Sequence, residues 1–227
     1  MPDSPLTVDR PGWREILREL AHKAATAESR TYWAENHIAF NYRWEHVQAV
    51  VRLAIRLAEL TGADQDVVEA AAWLHDVAKP HSKDHGRDGA IAARRILAET
   101  DFPPHKIEAV ADAVKKHVGL FTDEPAEPLE AAVLWDADKL SKLGATAVLH
   151  FIGYKMMAGE GTTTQWLEKL PNLDWVELTV RSFHTAPARA AGQKRLAAYR
   201  ALWDQAIREF DGDDLLDSQS TTDHART

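Results

Sequence analysis

The chain has 227 residues, of which 45% are apolar and 27% charged, a composition typical of a globular protein with one sizeable core. It contains no cysteine, which excludes disulfides, thiolate metal sites and a cysteine nucleophile. No apolar run approaches the roughly 18 residues that a membrane span requires, and the N-terminus lacks the pattern of a secretory signal. We therefore expect a cytoplasmic protein that has no membrane partner.

The net charge of the chain is −8, and half of it lies in residues 211–227, which hold five aspartates and a single arginine. We expect this segment to be a disordered acidic tail. The rest of the sequence shows no basic stripe, so a duplex nucleic acid is not expected as a partner. A small anionic substrate, held by a few local cations or metal ions, remains compatible with this charge.

Helical periodicity dominates the sequence, without useful period-two alternation or an internal repeat, and this predicts an all-α fold with a single helical bundle. We assign residues 1–30 to an N-terminal helical extension and residues 31–210 to the main domain. The helix predicted at 44–60 ends at Gly62, and Pro80 is expected to end the next one. The further predictions are helices at 63–78, 88–100, 103–117, 127–144 and 186–210, a weak point at Gly192 and a loop at 159–165.

Four polar residues occupy positions where these helices should bury apolar side chains. They are His46 in a first turn, His75 and Asp76 at a helix end, and Asp138 in the stretch AAVLWDADKL. A buried carboxylate without a partner is costly, so such groups are paired or bind metal. Two imidazoles and two carboxylates form a mixed ligand set suited to Mn, Fe, Co, Ni or Zn. Asp136 is an alternative ligand, and a plain helix cap is the alternative interpretation of the His75–Asp76 pair.

The order of these residues resembles the H…HD…D signature of the HD superfamily of metal-dependent phosphohydrolases. Three further segments resemble elements of that family, namely HDVAKP at 75–80, HGRDGAIAARRIL at 85–97 and AVKKH at 113–117. The resemblance covers about residues 40–150. It implies an HD-like all-α bundle, a divalent metal ion (Mn, Fe, Co, Ni, Zn or Mg) and hydrolysis of phosphate esters, often those of nucleotides.

The resemblance also implies roles for individual residues. His46, His75, Asp76 and Asp138 would be the metal ligands. Asp76 would in addition orient or deprotonate the attacking water, and Lys79 would offset charge on the phosphate oxygens. No serine or cysteine nucleophile is needed.

A second metal site is an open prediction. His85 and His117 would bind a second ion or contact the substrate phosphate. Family members with a full two-metal site often carry two consecutive histidines at the later position, whereas Val118 follows His117 here. Arg43 and Lys139 are expected to be solvated surface cations, with phosphate contact as the alternative for each.

We therefore expect a small phosphorylated substrate, with a nucleotide as the leading candidate. A nucleotide-sensing module without turnover and a single-strand nuclease are the alternatives. The acidic balance and the lack of a basic, aromatic groove disfavour the nuclease. Trp73 and Trp135 are expected to shield the site from water, and stacking on the base of a nucleotide is the alternative role for them. The sequence makes no prediction about oligomeric state.

Overall fold

A computed structural model of the chain describes residues 11–32, 40–157, 161–169 and 174–216. All regular secondary structure in these segments is helical, which confirms the predicted fold class. None of the helices described is both long enough and apolar enough to cross a lipid bilayer. In chain order the helices are α1 (Trp13–Tyr32), α2 (Tyr42–Thr61), α3 (Gln65–Leu74), α4 (His85–Ala98), α5 (Ile107–Lys116), α6 (Leu129–Leu140), α7 (Ala145–Met157), α8 (Thr163–Lys169), α9 (Asp174–Arg181) and α10 (Ala186–Asp211).

Helix α2 begins and ends as its sequence predicts. The Asn41 side chain accepts the backbone N–H of Trp44, and Gly62 adopts a left-handed conformation with φ of 79° that ends the helix. The buried face of α2 carries apolar residues at helical spacing together with His46. The N-terminal part of this helix therefore places an imidazole at the edge of the core.

Helix α3 ends at Leu74, earlier than the predicted end before Pro80. Beyond it the backbone tightens into turns, with N–H groups bonding three residues back from Val77 to Leu74 and from Lys79 to Asp76. Adjacent residues on a regular α-helix diverge by about 100°. Nε2 of His75 and Oδ2 of Asp76 nevertheless lie 3.5 Å apart, so the end of α3 supplies two ligand atoms to one region.

The helices pack around one apolar core. Helix α2 contacts α1, α3 and α6, while α5 lies between α4 and α6. Trp13 and Leu17 of α1 belong to the same buried cluster as Leu74, Val110 and Leu134. The N-terminal helix is thus packed into the domain core, and the predicted boundary at residue 30 falls inside α1.

Asp136 joins α6 to the start of α10. Its two carboxylate oxygens accept the backbone N–H groups of His184 and Thr185, each at 2.8 Å, and Thr185 is the N-cap of α10. Burial raises the pKa of Asp136 to about 6, although the two N–H donors act in the opposite direction. This carboxylate therefore has a structural partner in the described part of the chain.

Helix α10 runs without interruption through Gly192, so the predicted weak point there is wrong. A Cβ atom at this position would lie 2.4 Å from Cε2 of Phe183, whose ring is buried. Glycine is needed because the Phe183 ring packs directly against the helix backbone.

Two other predicted segments differ at their ends. Helix α8 begins at Thr163, inside the loop predicted at 159–165, of which residues 159 and 160 lie outside the described residues. Helix α10 continues to Asp211 and a 3-10 turn follows at Asp213–Leu215, where the acidic tail was predicted to start. The remainder of that tail, from residue 217, also lies outside the described residues.

We expect Gly192→Ala to destabilise the protein, although alanine favours helices by about 0.8–1.0 kcal/mol over glycine. Overpacking a core typically costs about 1–3 kcal/mol, so the melting temperature should fall by about 2–4 °C for a net loss of about 1 kcal/mol. Gly153→Ala is the control, because its Cβ would meet Phe40 at an ordinary 3.4 Å. Calorimetry showing equal stabilisation by both variants would contradict this packing account.

Candidate metal centre

Five elements meet at the buried site. Helix α2 supplies His46, its fifth residue, the turn after α3 supplies His75 and Asp76, and α6 supplies Asp138. His117, the C-cap of α5, and His85, the first residue of α4, approach from the other side. All of these side chains are buried except His85, which is partly exposed. The structure thus brings all six predicted metal-site residues into one region.

His46, His75 and Asp76 each offer a ligand atom, and these atoms lie within 4.8 Å of one another. The Nε2 atoms of the two histidines are 3.3 Å apart, and they lie 3.8 and 3.5 Å from Oδ2 of Asp76. Asp138 lies beside this group, with Oδ1 3.2 Å from Nε2 of His46. Three ligands of a metal site are therefore already clustered, and the fourth predicted ligand touches one of them.

A second group of the same kind consists of Asp76, His85 and His117. Nε2 of His85 is 3.7 Å from Oδ1 of Asp76, and Nε2 of His117 is 3.6 Å from the same oxygen. One carboxylate oxygen of Asp76 thus faces the first group and the other faces the second. This is the arrangement of a carboxylate that can bridge two ions.

The protonation of the three buried imidazoles follows from their partners. Nδ1 of His75 lies 2.7 Å from the carbonyl oxygen of Ala72, and Nδ1 of His117 lies 2.6 Å from that of Val114. Because a carbonyl oxygen can only accept, both Nδ1 atoms carry a proton. Ser141 donates its hydroxyl to the carbonyl of Asp138 at 2.6 Å, so its oxygen accepts from Nδ1 of His46 at 3.0 Å.

In the neutral form of each ring the Nε2 atom then carries the lone pair, and the three Nε2 atoms face one another and two carboxylates. Burial lowers the pKa of His46 to about 3 and also lowers the pKa of His117, so neither ring gains a second proton near neutral pH. Oδ1 of Asp138 is buried, and its one close polar neighbour besides His46 in the described part of the chain is Nζ of Lys142 at 2.7 Å. In their neutral forms the Nε2 atoms of His46 and His75, 3.3 Å apart, can both bind the same cation. This nitrogen and oxygen donor set, with backbone-oriented rings, fits a divalent metal ion.

Both carboxylates of the site are ionised. Burial alone would raise the pKa of Asp76, but nearby positive charge, including the Lys79 ammonium, outweighs it and holds that pKa well below its usual range. Burial is likewise outweighed for Asp138, whose pKa is kept low by Lys139 and Lys142. Ionised carboxylates are the form that binds metal.

Lys139 does not face solvent, so the predicted surface position for this residue is wrong. Its side chain is 0% exposed, and Nζ donates to the carbonyl oxygen of His117 and to Oδ2 of Asp138, both at 2.6 Å. The ammonium also lies 4.0 Å from the centre of the Trp135 ring, and burial lowers the pKa of Lys139 to about 8. Lys139 therefore links the His117 backbone to the Asp138 carboxylate.

Arg43 is also less exposed than predicted. Its guanidinium pairs with Glu28 of α1 and lies 4.0 Å from Oδ2 of Asp76. Glu28 was missed by sequence reasoning, although it continues a buried stripe of α1 through Ala21 and Ala25 at helical spacing. A charged residue on a buried helix face indicates that a residue of opposite charge lies next to it, because an unpaired buried charge is costly.

Two lysines reach both the site and solvent. Nζ of Lys79 lies 3.1 Å from Oδ2 of Asp76, and its side chain is 28% exposed. Lys142 was missed by sequence reasoning; its Nζ lies 2.7 Å from Oδ1 of Asp138, and its side chain is 21% exposed. The missed signal was the spacing of four residues from Asp138, which places Lys142 on the same face of the chain. These two cations, unlike Lys139, are accessible to an anionic ligand.

Comparisons with known proteins agree with this geometry. The HD domain family matches residues 43–143, a range that contains every predicted ligand from His46 to Asp138. A predicted HD superfamily hydrolase from an uncultured Thermotogales bacterium has the same fold, with a TM-score of 0.60 and 21% identity over 86% of this chain and 92% of that one. Bacillus subtilis YpgQ, solved in complex with ADP, gives a TM-score of 0.55 and 20% identity over 88% of this chain and 96% of its own.

A curated relative is similar over part of its length. The bifunctional uridylyltransferase/uridylyl-removing enzyme of Bradyrhizobium diazoefficiens is 27% identical over 165 residues, which are 66% of this chain and 17% of that enzyme. This chain thus spans about a sixth of the curated relative that it matches. Residues 43–143 thus match the HD domain family over a range that contains the whole predicted ligand set, and the chain shares the fold of these solved structures.

Proposed function

We propose that the protein is a metal-dependent phosphohydrolase that cleaves a phosphate ester of a small phosphorylated metabolite, with nucleotides as the first candidates. The observation that carries this proposal is the convergence of three imidazole Nε2 atoms on two ionised carboxylates, with accessible lysines at the edge. His46, His75, Asp76 and Asp138 would hold the first ion. A bound divalent ion of this kind lowers the pKa of water and polarises a phosphoryl group.

The charges around the site suit a polyanionic substrate. With the imidazoles neutral, four cations outnumber three carboxylates, so the region is positive before any metal binds. The cations are Arg43, Lys79, Lys139 and Lys142, and the carboxylates are Glu28, Asp76 and Asp138. Lys79 and Lys142 are the accessible pair, and they would contact phosphate oxygens where negative charge develops.

Besides a bound metal ion, the reaction needs only groups of this site and water. The water oxygen forms a bond to phosphorus while the bond to the ester oxygen breaks, and the proton that the water loses is balanced by one that the leaving oxygen takes up from solvent. Asp76 would orient or deprotonate the water, and the position of its two carboxylate oxygens beside His75 and His117 supports this role. No covalent enzyme intermediate is required.

Nucleotides are favoured by what is known of similar proteins. YpgQ was solved with ADP, and the Bradyrhizobium enzyme is named for removing uridylyl groups. The direct test is a panel of nucleoside mono-, di- and triphosphates incubated with Mn²⁺, Mg²⁺, Co²⁺ or Ni²⁺. We expect release of phosphate or pyrophosphate with at least one metal. Absence of release under every metal would contradict the proposal.

Asp138→Ala should abolish retention of the metal ion, while Asp136→Ala should retain most of it. Asp138 lies 3.2 Å from Nε2 of His46, whereas Asp136 caps the start of α10. Metal content after dialysis, measured by mass spectrometry, gives the answer. Asp136→Ala should instead lower the melting temperature, and the opposite order of metal loss would identify Asp136 as the ligand.

Lys79→Ala should lower turnover by about 10²-fold with metal content intact, since loss of one preorganised donor typically costs about 10²–10³ in rate. Lys83→Ala, an exposed cation in the same loop, is the matched control and should keep the original rate. An unchanged rate in Lys79→Ala would contradict a role of this lysine in turnover and would leave only its ion pair with Asp76.

The second ligand group predicts a second ion that Asp76 bridges to the first. Paired ions of this kind lie about 3.5–4 Å apart. We expect two ions per chain in the presence of a phosphate analogue, falling to one in His85→Ala and His117→Ala. One ion per chain in all three proteins, with and without the analogue, would establish a mononuclear site.

A further inference from the structure

A cavity of about 270 Å³ opens directly beside the candidate metal centre. His46, Ser141 and Lys142 form the wall that it shares with the centre, so a ligand in the cavity is adjacent to the predicted ions. Pockets that enclose a whole drug-sized ligand measure about 300–1,000 Å³. This cavity is therefore suited to one ring system of a ligand whose remainder extends toward the metal centre.

The remaining lining of the cavity is mostly aromatic. Four rings, those of Tyr42, Phe151, Trp175 and Trp203, come from four different helices and surround the space together with the Tyr199 ring. A planar ring gains most from such walls, because stacking on aromatic side chains is favourable for any base. The shape and chemistry of the cavity thus favour a flat aromatic group.

The charge of the lining favours a neutral ring. Among the residues that line the cavity no carboxylate is present, and Lys142 is the one residue with a full positive charge. Aromatic walls also bind quaternary ammonium groups, but such a cation would here lie near Lys142 without a compensating anion. An uncharged ring, attached to a phosphate that reaches Lys142, satisfies both parts of the surface.

A buried donor lines the same cavity. The indole Nε1 of Trp203 is buried without an aligned acceptor in the described part of the chain. Its neighbour Tyr199 packs edge to face at 5.9 Å between ring centres, and Trp203 partly offsets the rise that burial causes in the pKa of that phenol. A ring nitrogen or carbonyl oxygen of a nucleobase would give the indole N–H a well-aligned acceptor.

The two tryptophans that sequence reasoning considered for stacking are engaged elsewhere. The Trp135 ring lies under the ammonium of Lys139 at 4.0 Å, and Trp73 stacks on Trp44 with ring centres 6.0 Å apart. Neither of them lines the aromatic cavity. A base is therefore expected in the cavity and not against these rings.

We propose that this cavity holds the nucleobase of the substrate, and that it selects phosphorylated compounds with a neutral aromatic ring over sugar phosphates and inorganic phosphates. The proposal rests on the proposed function and assigns the substrate class of that site. The phosphate end of the ligand lies at Lys142, and the ring lies between Tyr42, Trp175 and Trp203.

The test uses the metal-loaded full chain, with binding of ADP, UDP, inorganic pyrophosphate and phosphocholine measured by calorimetry. Ala147→Phe fills the cavity from its wall, and Ala145→Phe places the same ring on the exposed start of α7 as the control. Trp175→Leu removes a wall without adding bulk, and Trp175→Phe restores an aromatic ring. Metal content and circular dichroism establish that each variant is folded.

We expect ADP or UDP to bind the unaltered chain at least about tenfold more tightly than pyrophosphate, a difference of about 1.4 kcal/mol. Ala147→Phe and Trp175→Leu should remove this preference while leaving pyrophosphate binding unchanged, and Ala145→Phe and Trp175→Phe should keep it. Three results would overturn the proposal: equal loss of nucleotide and pyrophosphate binding in the variants, no preference for nucleotides in the unaltered chain, or tighter binding of phosphocholine than of nucleotides.

Two further results separate this proposal from the proposed function. If binding depends on the ring but no phosphate is released, the proposed hydrolysis is contradicted and the cavity assignment is not. If phosphate is released from compounds with and without the ring alike, the cavity assignment is contradicted and the hydrolysis is not.

Discussion

The site depends on backbone carbonyls that fix which nitrogen of each buried imidazole carries the proton. The carbonyls of Ala72 and Val114 each accept from an Nδ1 atom, and Ser141 does the same for His46. Because these acceptors belong to helix ends, the fold itself turns three Nε2 atoms toward Asp76 and Asp138. In neutral rings these atoms are lone-pair donors beside two carboxylates, and this donor set is the physical basis of the proposed metal centre.

The ends of the helices, more than their middles, build this centre. His75 is the C-cap of α3, His117 caps α5, His85 begins α4 and His46 is the fifth residue of α2. His75 and Asp76 are adjacent in the chain, and Nε2 of the histidine lies 3.5 Å from Oδ2 of the aspartate. Beside this centre lies the aromatic cavity, whose described lining carries no formal charge other than that of Lys142.

The all-α fold was predictable from the sequence, because the spacing of apolar residues indicates helices. The convergence of His46, His75, Asp76 and Asp138 was also predictable, because the order of these residues along the chain matches a known ligand pattern. Burial of cations was not predictable, since Lys139 and Arg43 have the same local sequence signals as surface residues and owe their positions to distant partners. The partners of Lys139 are the His117 carbonyl and the Trp135 ring, and the partner of Arg43 is Glu28. Gly192 was misjudged for the same reason, because the Phe183 ring against it is a tertiary contact.

The most direct measurement of the central claim is nitrogen-15 NMR of the histidine rings during titration with Zn²⁺, a diamagnetic ion. Before zinc is added, we expect His46 and His117 to show protonated Nδ1 and unprotonated Nε2 at neutral pH, and His75 to show a protonated Nδ1. On titration the Nε2 signals of His46 and His75 should shift as they bind the metal, while exposed His81 and His105 serve as internal controls. Protonated Nε2 atoms in the metal-free protein, or Nε2 signals that zinc leaves unchanged, would contradict the account.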